Sequence, residues 1–470
     1  MNRFTSFLAV LGIGAMLVAC GKIPDASDRD GGGDDDDAPD AAPGPDATPR
    51  TGKATLVAHH DDGTPVAGAV VVQTAHDGTL KLETATGSDG KVKLDITEGD
   101  IASVGWNEGA LGASQRKLLF TVLDLQVDDN VNLNNQPDRA TGNLFDLTVT
   151  TAPLPTGATH GTIDVGCTSG NINASTQITT TISVRQDCID STGKFSIVAD
   201  ALDVNDNIVA SAVKVDLTPG QGNQTVALGA WATPGNGRVT LTLTNAPSGV
   251  KTFGNLEVSR HGLGYEQFDF NGTGANPGSI TAVPARGYAD ALLRSAAVLF
   301  PDASDSTEVD GTIFLVEKSA YSGDSGASFT ADFSKGMARV FKSRYDAGEH
   351  TFTWMVDASE PAQVKALRNA DIASITLPWS DPLTPNVTNV WTVVGPGSSD
   401  SPLQLDIHSL EAFAPPTNAG NAMPMSVQAL DLDVVDGYQD AKNRFGSNFL
   451  ESVDSVPVFK GLAAFSGQLH

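Results

Sequence analysis

The feature that most constrains the fold of this chain is a series of Asp-Gly turns between short alternating segments. Between positions 53 and 96, apolar and polar residues alternate, and Asp62-Gly63, Asp77-Gly78 and Asp89-Gly90 interrupt the alternation. A period of two places every second side chain on the same face of a strand, and an Asp-Gly pair suits a tight hairpin turn. The pattern therefore predicts a small antiparallel β-sandwich whose strands have one buried and one solvated face.

The composition of the whole chain favours strands and turns over helices. The 470 residues include 48 glycines and 25 prolines, and long runs of Glu, Lys, Ala and Leu are missing. We predict a mainly β fold of tandem antiparallel β-sandwich domains, with units at 53–151, 152–277 and 278–470. Apolar residues at helical spacing predict two short helices in the third unit, at 360–369 and 438–449.

Two motifs mark the turns of the first unit. One reads Gly-x-Pro-Val-x-Gly-Ala-x-Val from Gly63 to Val71, and the other reads Asp-Gly-x-Val-x-Leu from Asp89 to Leu94. With these motifs the unit resembles the carboxypeptidase regulatory-like module, which is related to transthyretin. The resemblance implies an Ig-like β-sandwich that serves as an accessory domain and has no peptidase activity of its own.

Positions 1–19 have the three parts of a secretory signal, with Arg3 at the start and an apolar run at 7–17. The run is too short to span a bilayer, which needs about 20 apolar residues. The segment ends in Leu-Val-Ala-Cys at 17–20, which resembles the lipobox of bacterial lipoproteins. That resemblance implies cleavage before Cys20, diacylglycerol on its thiol and an acylated amino terminus, which together hold a protein firmly on a membrane. An ordinary secreted protein with a chance cysteine is the alternative.

The residues after the lipobox predict a tether. Positions 20–52 are nearly all Asp, Gly, Pro and Ala, a composition typical of a disordered, acidic linker. Gly21 follows Cys20, and lipoproteins without Asp at that position usually proceed to the outer membrane. The resemblance therefore implies lipid anchoring in the outer membrane, with the folded units in the periplasm or at the cell surface. Trp391 and the Asp-Gly-Tyr at 436–438 are similar to the ends of β-rich lipoproteins of myxobacterium-like organisms.

The net charge argues against one class of partner, and the cysteine count predicts a disulfide. The formal net charge of -27 argues against nucleic acid, because proteins that bind phosphate backbones present a basic face. Of the three cysteines, Cys167 and Cys188 remain once Cys20 is assigned to lipid, and an even pair in an exported domain predicts a disulfide. Two reduced thiols or a metal site are the alternatives.

Two motifs suggest catalysis, and each also has a simpler structural explanation. Ser325 lies in the Gly-Asp-Ser-Gly at 323–326, which matches the nucleophile loop of chymotrypsin-like proteases, with His76 as the only histidine in a comparable context. A hairpin turn explains the same residues. His408 and Glu411 match the His-x-x-Glu zinc ligands of metallocarboxypeptidases, and a histidine at a strand end is the alternative.

Calcium is the cofactor that the acidic loops would suit best. Asp431, Asp433 and Asp436 match part of a calcium loop, although alternate aspartates also occur on the solvated face of a strand. Four tryptophans either line a sugar-binding surface or belong to the cores of the sandwiches. They are Trp231, Trp354, Trp379 and Trp391.

These patterns lead to a prediction about function. We expect a membrane-anchored surface lipoprotein without catalytic residues or metal ligands, which acts in binding, adhesion or envelope structure on a protein or glycan that the sequence does not identify. An exported hydrolase, either a peptidase or a glycosidase, that uses Ser325 or the pair His408 and Glu411 is one alternative. A calcium-dependent carbohydrate-binding adhesin is the other.

Overall fold

The chain is mainly β and contains several separate sheets, as predicted. The computed structural model describes residues 48–467, except for the gaps at 110–114, 135–142, 174–177, 191, 234–236, 247–250, 262, 274–277, 283–290, 301–311, 322–325, 336–339, 357–369, 382–383, 398–402, 417–422, 448, 450–455 and 457. The predicted signal and the tether up to residue 47, including Cys20, lie outside the described residues. Within the described part of the chain, every helix is too short or too polar to cross a bilayer.

The first sandwich has two layers around one core. Its strands are β1 (Thr51–Ala58), β2 (Val70–Thr74), β3 (Leu80–Ala85), β4 (Lys91–Thr97), β5 (Asp100–Glu108), β6 (Arg116–Leu125) and β7 (Asn130–Leu133). One layer is the sheet β4-β1-β7, and the other is the β6-β5-β2-β3 part of a twelve-stranded sheet. Alternate residues of both layers, such as Leu56, Leu94 and Val104, are buried between them. β1 begins two residues inside the predicted tether because Thr51 and Gly52 already pair with β4.

A second sandwich follows. Its strands are β8 (Asn143–Thr150), β9 (His160–Asp164), β10 (Ser169–Ile172), β11 (Thr179–Arg185), β12 (Phe195–Leu202), β13 (Ile208–Leu217) and β14 (Gln224–Ala227). The sheets β10-β9-β12-β13 and β11-β8-β14 enclose a core that includes Leu147, Ile163 and Phe195. β8 lies before the predicted boundary at residue 151, yet it pairs with β11 beyond that boundary. Burial of Leu147 in this core accounts for that pairing.

The remaining strands extend the large sheet and form two smaller ones. They are β15 (Val239–Thr244), β16 (Lys251–Arg260), β17 (Leu263–Thr273), β18 (Gly278–Ala282), β19 (Ala291–Phe300), β20 (Thr312–Tyr321), β21 (Ala327–Asp332), β22 (Val340–Asp346), β23 (Thr351–Val356), β24 (Ile372–Asp381), β25 (Thr384–Gly395), β26 (Leu403–Gln404), β27 (Met423–Pro424), β28 (Ser426–Leu432) and β29 (Phe459–Gly467). β25 pairs in parallel with β6, with Trp391 opposite Leu119. The limits of the three units stay predictions, and strand pairing crosses both internal boundaries.

The described helices are short. The α-helix α1 (Gly437–Phe445) confirms most of the helix predicted at 438–449, whereas the one predicted at 360–369 lies outside the described residues. α1 buries Ala441 and Phe445 in a core shared with β28 and β29. It ends at Gly446, whose φ of 62° suits glycine, and a Cβ there would collide with the carbonyl oxygen of Asn132.

Candidate binding site at one end of the first sandwich

Three loops of the first sandwich meet at one of its ends. β1 runs into a turn at 59–65, the adjacent ends of β5 and β6 lie beside that turn, and β7 ends there because it runs parallel to β1. Loops on a rigid scaffold often carry binding residues, since strands hold their ends in place. The term "loop end" is used for the five side chains that these segments bring together: His60, Asp61, Glu108, Arg116 and Asn134.

Glu108 holds one half of the loop end. Its Oε2 accepts hydrogen bonds from Trp106 Nε1 at 3.0 Å and from His60 Nδ1 at 2.9 Å. The Trp106 ring stacks on Phe120 in the core, with 5.2 Å between centroids. Trp106 thus holds Glu108 against the core. The Glu108 side chain is 11% exposed, while that of His60 is 33% exposed. The imidazole is therefore both held in place and accessible.

Arg116 and Asp61 form the other half. Arg116 Nη2 donates to both carboxylate oxygens of Asp61, at 2.6 and 2.8 Å. Asn134 Nδ2 donates to Asp61 Oδ1 at 3.0 Å and to the carbonyl oxygen of His59 at 3.1 Å. The side chains of Arg116 and Asp61 are 35% and 43% exposed. An exposed ion pair contributes about 0–1 kcal/mol, so a polar ligand can replace either partner at little cost.

The loop end lies away from the predicted tether. β1 starts at Thr51, where the predicted tether joins the fold, and runs without interruption to Ala58, next to the loop end. Eight residues of strand span about 26 Å at about 3.3 Å per residue. The start of β1, to which the predicted tether would attach, and the loop end are thus at opposite ends of the first sandwich.

The predicted disulfide is present. Cys167 and Cys188 are bonded to each other, with their Cα atoms 4.8 Å apart, and the bond joins the turn after β9 to the 3-10 helix Gln186–Cys188. Among the described residues, one group of three side chains has the spacing of a metal site, and it consists of these two cysteines and Asp187. Because both sulfurs are in the disulfide, that group does not hold a metal.

Of the predicted catalytic residues, the structure describes His408 and Glu411 but not Ser325. His408 begins the 3-10 helix His408–Phe413, so the alternative of a strand-end histidine is wrong in detail. Its Nε2 donates to the carbonyl oxygen of Gly78 at 3.1 Å and lies 3.6 Å from Asp406, while Glu411 is exposed. His408 and Glu411 do not belong to any metal-sized group of the described residues. Ser325 lies outside the described residues.

The calcium and sugar candidates have structural roles. Asp436 precedes α1, where its N–H donates to Asp440 at 3.2 Å, and no calcium-sized cluster forms around it within the described part. Trp379 and Trp391 are buried in the main core. Trp231 is half-buried, and its Nε1 donates to backbone oxygens of the joint between the sandwiches. The side chain of Trp354 is outside the described set.

The sequence reasoning missed the loop end. Two neighbouring histidines, His59 and His60, do not suggest a shared site in the sequence, because neighbouring strand residues point to opposite faces. His59 Nδ1 indeed contacts Gly63 within the turn, whereas His60 contacts Glu108. Only the polar turn after β1 could have indicated a site, since nothing local links it to Glu108 or Arg116.

Neither a protein-family model nor a curated protein matches this chain. Among solved structures, the Bacillus anthracis TIE protein is 10% identical, over 60% of this chain and 50% of that one, with a TM-score of 0.13. This chain thus spans about half the length of that protein. The major pilin subunit of Bacillus cereus is 10% identical, over 60% of this chain and 99% of that one, at a TM-score of 0.13. A Ca2+-stabilized, ice-binding adhesin of an Antarctic bacterium is 10% identical, over 83% and 96%, at 0.12. Likenesses this slight carry no argument about this chain.

Proposed function

We propose that this protein is a lipid-anchored, non-catalytic surface protein of the outer membrane, which binds a polar ligand through the loop end. The cysteines support the anchor. Two of the three form the disulfide of the second sandwich, so Cys20 is left for lipid. A disulfide also fits an exported protein, since thiols stay reduced in the cytosol.

The direction of β1 carries the binding part of the proposal. A tether attached at Thr51 would hold that end of the first sandwich towards the membrane, and β1 ends at the loop end on the far side. The loop end offers an imidazole bonded to one carboxylate and a guanidinium bonded to another, and the backbone N–H of Asp61 links the two pairs. Such a set recognises a ligand with both charges or with many hydroxyls, such as a protein segment or a glycan.

The anchor is tested in cells that express the full chain. Cys20→Ala is expected to abolish incorporation of labelled palmitate and to move the protein out of the membrane fraction. Cys167→Ser with Cys188→Ser is the matched cysteine control and is expected to keep the label. Label in Cys20→Ala, or membrane fractionation equal to the native protein, would overturn the anchor.

Binding is tested with the purified full chain in detergent, on a glycan array and on immobilised whole cells. Arg116→Gln is expected to reduce retention at least tenfold, because it removes the bidentate donor. Arg444→Gln is the control, since Arg444 forms an ion pair of similar exposure with Asp440 on α1. Equal retention of both variants would overturn the binding site. Hydrolysis of peptides or glycosides that is lost in Ser325→Ala or Glu411→Ala would overturn the non-catalytic role.

A further inference from the structure

A fully buried lysine and aspartate lie in contact at the tether end of the first sandwich. Lys442 of α1 places its Nζ 2.5 Å from Oδ2 of Asp129, and both side chains are 0% exposed. Asp129 is the last residue of the loop between β6 and β7, so the two residues are far apart in the sequence. Removing two charges from water costs several kcal/mol each, which makes the charged form of such a pair expensive.

The surroundings favour the uncharged form of Lys442. The Tyr438 ring centroid lies 4.4 Å from Nζ, and burial lowers the pKa of Lys442. Asp124 is beside the pair, since its carbonyl oxygen accepts a hydrogen bond from Nζ at 3.0 Å. Burial raises the pKa of the Asp124 carboxyl, and the charge of Asp129 acts in the same direction. An uncharged amine is a nucleophile, and a protonated carboxyl can donate a proton.

Both carboxyl oxygens of Asp129 accept hydrogen bonds, which suits a carboxyl carbon that a nucleophile attacks. Asn443 Nδ2 donates to its Oδ1 at 3.3 Å, and the N–H of Gln126 donates to its Oδ2 at 2.7 Å. Two residues of the same loop, Asp124 at φ 48° and Asp128 at φ 72°, adopt the left-handed conformation. Donors aimed at a carboxyl oxygen stabilise the negative charge that develops there when a nucleophile attacks.

We propose that the protein joins Lys442 to Asp129 by an amide bond between Nζ and Cγ. The lone pair of the uncharged Nζ attacks Cγ of Asp129, and the Cγ–Oδ2 bond breaks. Oδ2 leaves as water with one proton from Nζ and one from the Asp124 carboxyl. Amine and acid thus give amide and water, and no oxidant, reductant or other reagent is needed.

The position of the bond gives it a mechanical consequence. The N–H of Thr55 in β1 donates to the carbonyl oxygen of Asp129 at 2.7 Å, and β7 begins directly after Asp129. β1 is the strand that the predicted tether would pull. An amide between Asp129 and Lys442 would tie the loop beside β1 to the last helix of the chain and would prevent their separation under load.

The test is peptide mass spectrometry on the full chain, denatured, reduced, alkylated and digested with trypsin. We expect one branched peptide that contains both Asp129 and Lys442, lighter than the two separate peptides by the mass of one water molecule. Trypsin is expected not to cut after Lys442, since its side chain is acylated. Separate peptides with full cleavage after Lys442 in the native protein would overturn the bond, whatever the variants show.

Variants assign the residues. Lys442→Met is expected to abolish the branched peptide, and Lys318→Met, which changes another buried lysine, is expected to keep it. Asp124→Asn keeps the pair and removes the proton donor, so the branched fraction in protein sampled after cell-free synthesis is expected to grow at least about tenfold more slowly. A branched peptide in Lys442→Met would overturn the bond, and an unchanged rate in Asp124→Asn would overturn the role of Asp124 as proton donor. The readout is independent of the anchor and of ligand binding.

Discussion

The two ends of the first sandwich place a basic side chain against an acidic one in opposite environments. At the loop end, Arg116 and Asp61 form an ion pair, and their side chains remain 35% and 43% exposed. At the tether end, Lys442 and Asp129 pair with 0% exposure each. The two pairs have similar bond lengths, 2.6 and 2.5 Å, so the distance alone does not distinguish them.

Burial makes the difference. Water screens the loop-end charges, so either partner can turn to a ligand without leaving an expensive unpaired charge. Around Lys442 and Asp129, loss of one partner leaves the other ionisable group buried and unpaired, which costs about 3–5 kcal/mol. One end of the sandwich can therefore exchange partners, and the other cannot.

The strongest test of this contrast removes one tether-end partner. Asp129→Ala is expected to lower the free energy of unfolding by about 3–5 kcal/mol, because Lys442 stays buried without its carboxylate. Urea denaturation measures the loss. The double variant Asp129→Leu with Lys442→Met is expected to regain the part that comes from the unpaired charge. A loss below about 1 kcal/mol, which is typical of an exposed ion pair, would show that burial does not distinguish the two ends.

The disulfide between Cys167 and Cys188 provides a reference value for the stability that a covalent link adds to this fold. The disulfide closes a loop with a sequence separation of 21 in the second sandwich. Its removal by Cys167→Ser with Cys188→Ser is expected to cost about 3 kcal/mol, since a closed loop of about this length restricts the unfolded chain. The same denaturation experiment measures it. Unchanged stability would mean that covalent links contribute little in this fold and would weaken the expectation for the tether end.

In the second sandwich, two carboxyl groups, those of Asp164 and Asp200, are buried near each other. Burial and the neighbouring Asp200 charge raise the pKa of Asp164 to about 7, and burial raises the pKa of Asp200 to about 6, although Ser211 donates to it at 2.6 Å. In the unfolded chain both titrate near 3.8. The folded state therefore binds protons more tightly, and its advantage is complete below about pH 4 and is lost as the pH rises through about 7.

The pH dependence of unfolding tests this region. We expect the contribution of the two acids to fall by about 3 kcal/mol between pH 4 and 7, less than two independent shifts would give, because the carboxyls share protons. Asp164→Asn is expected to flatten the profile, and Asp206→Asn, at an exposed aspartate, is expected to leave it unchanged. A profile as steep in Asp164→Asn as in the native protein would contradict the assignment.

The smallest effect is expected at the loop end. Arg116→Gln is expected to change the free energy of unfolding by less than about 1 kcal/mol, because solvent screens the pair. The loss of ligand retention and the unchanged stability would then separate binding from folding. A loss of 3 kcal/mol or more, comparable with that of a buried pair, would mean that Arg116 is structural and would end the contrast.

Local pattern was sufficient for the strands and turns. The alternation between positions 53 and 96 became the strands β1 to β4, and the three Asp-Gly pairs lie between successive strands of that series. The Asp-Gly pairs became turns because glycine accepts the positive φ that they need, such as 84° at Gly78. The disulfide followed from cysteine count, and α1 from the spacing of its apolar residues. Each of these signals lies within a few positions of the element that it predicts.

Long-range assembly had no such signal. Nothing in the residues of β6 and β25 indicates that they pair in parallel, or that α1 docks beside Asp129. Glu108 and Arg116 also show no pattern that points to His60 and Asp61. These contacts depend on how the buried faces of separate strands pack together. Because a strand from any part of the chain can fill a given place in a core, the local sequence does not indicate its neighbours. The amino-acid order thus specified the strands, the turns and the disulfide, whereas packing determined which ionisable side chains became accessible and which became buried.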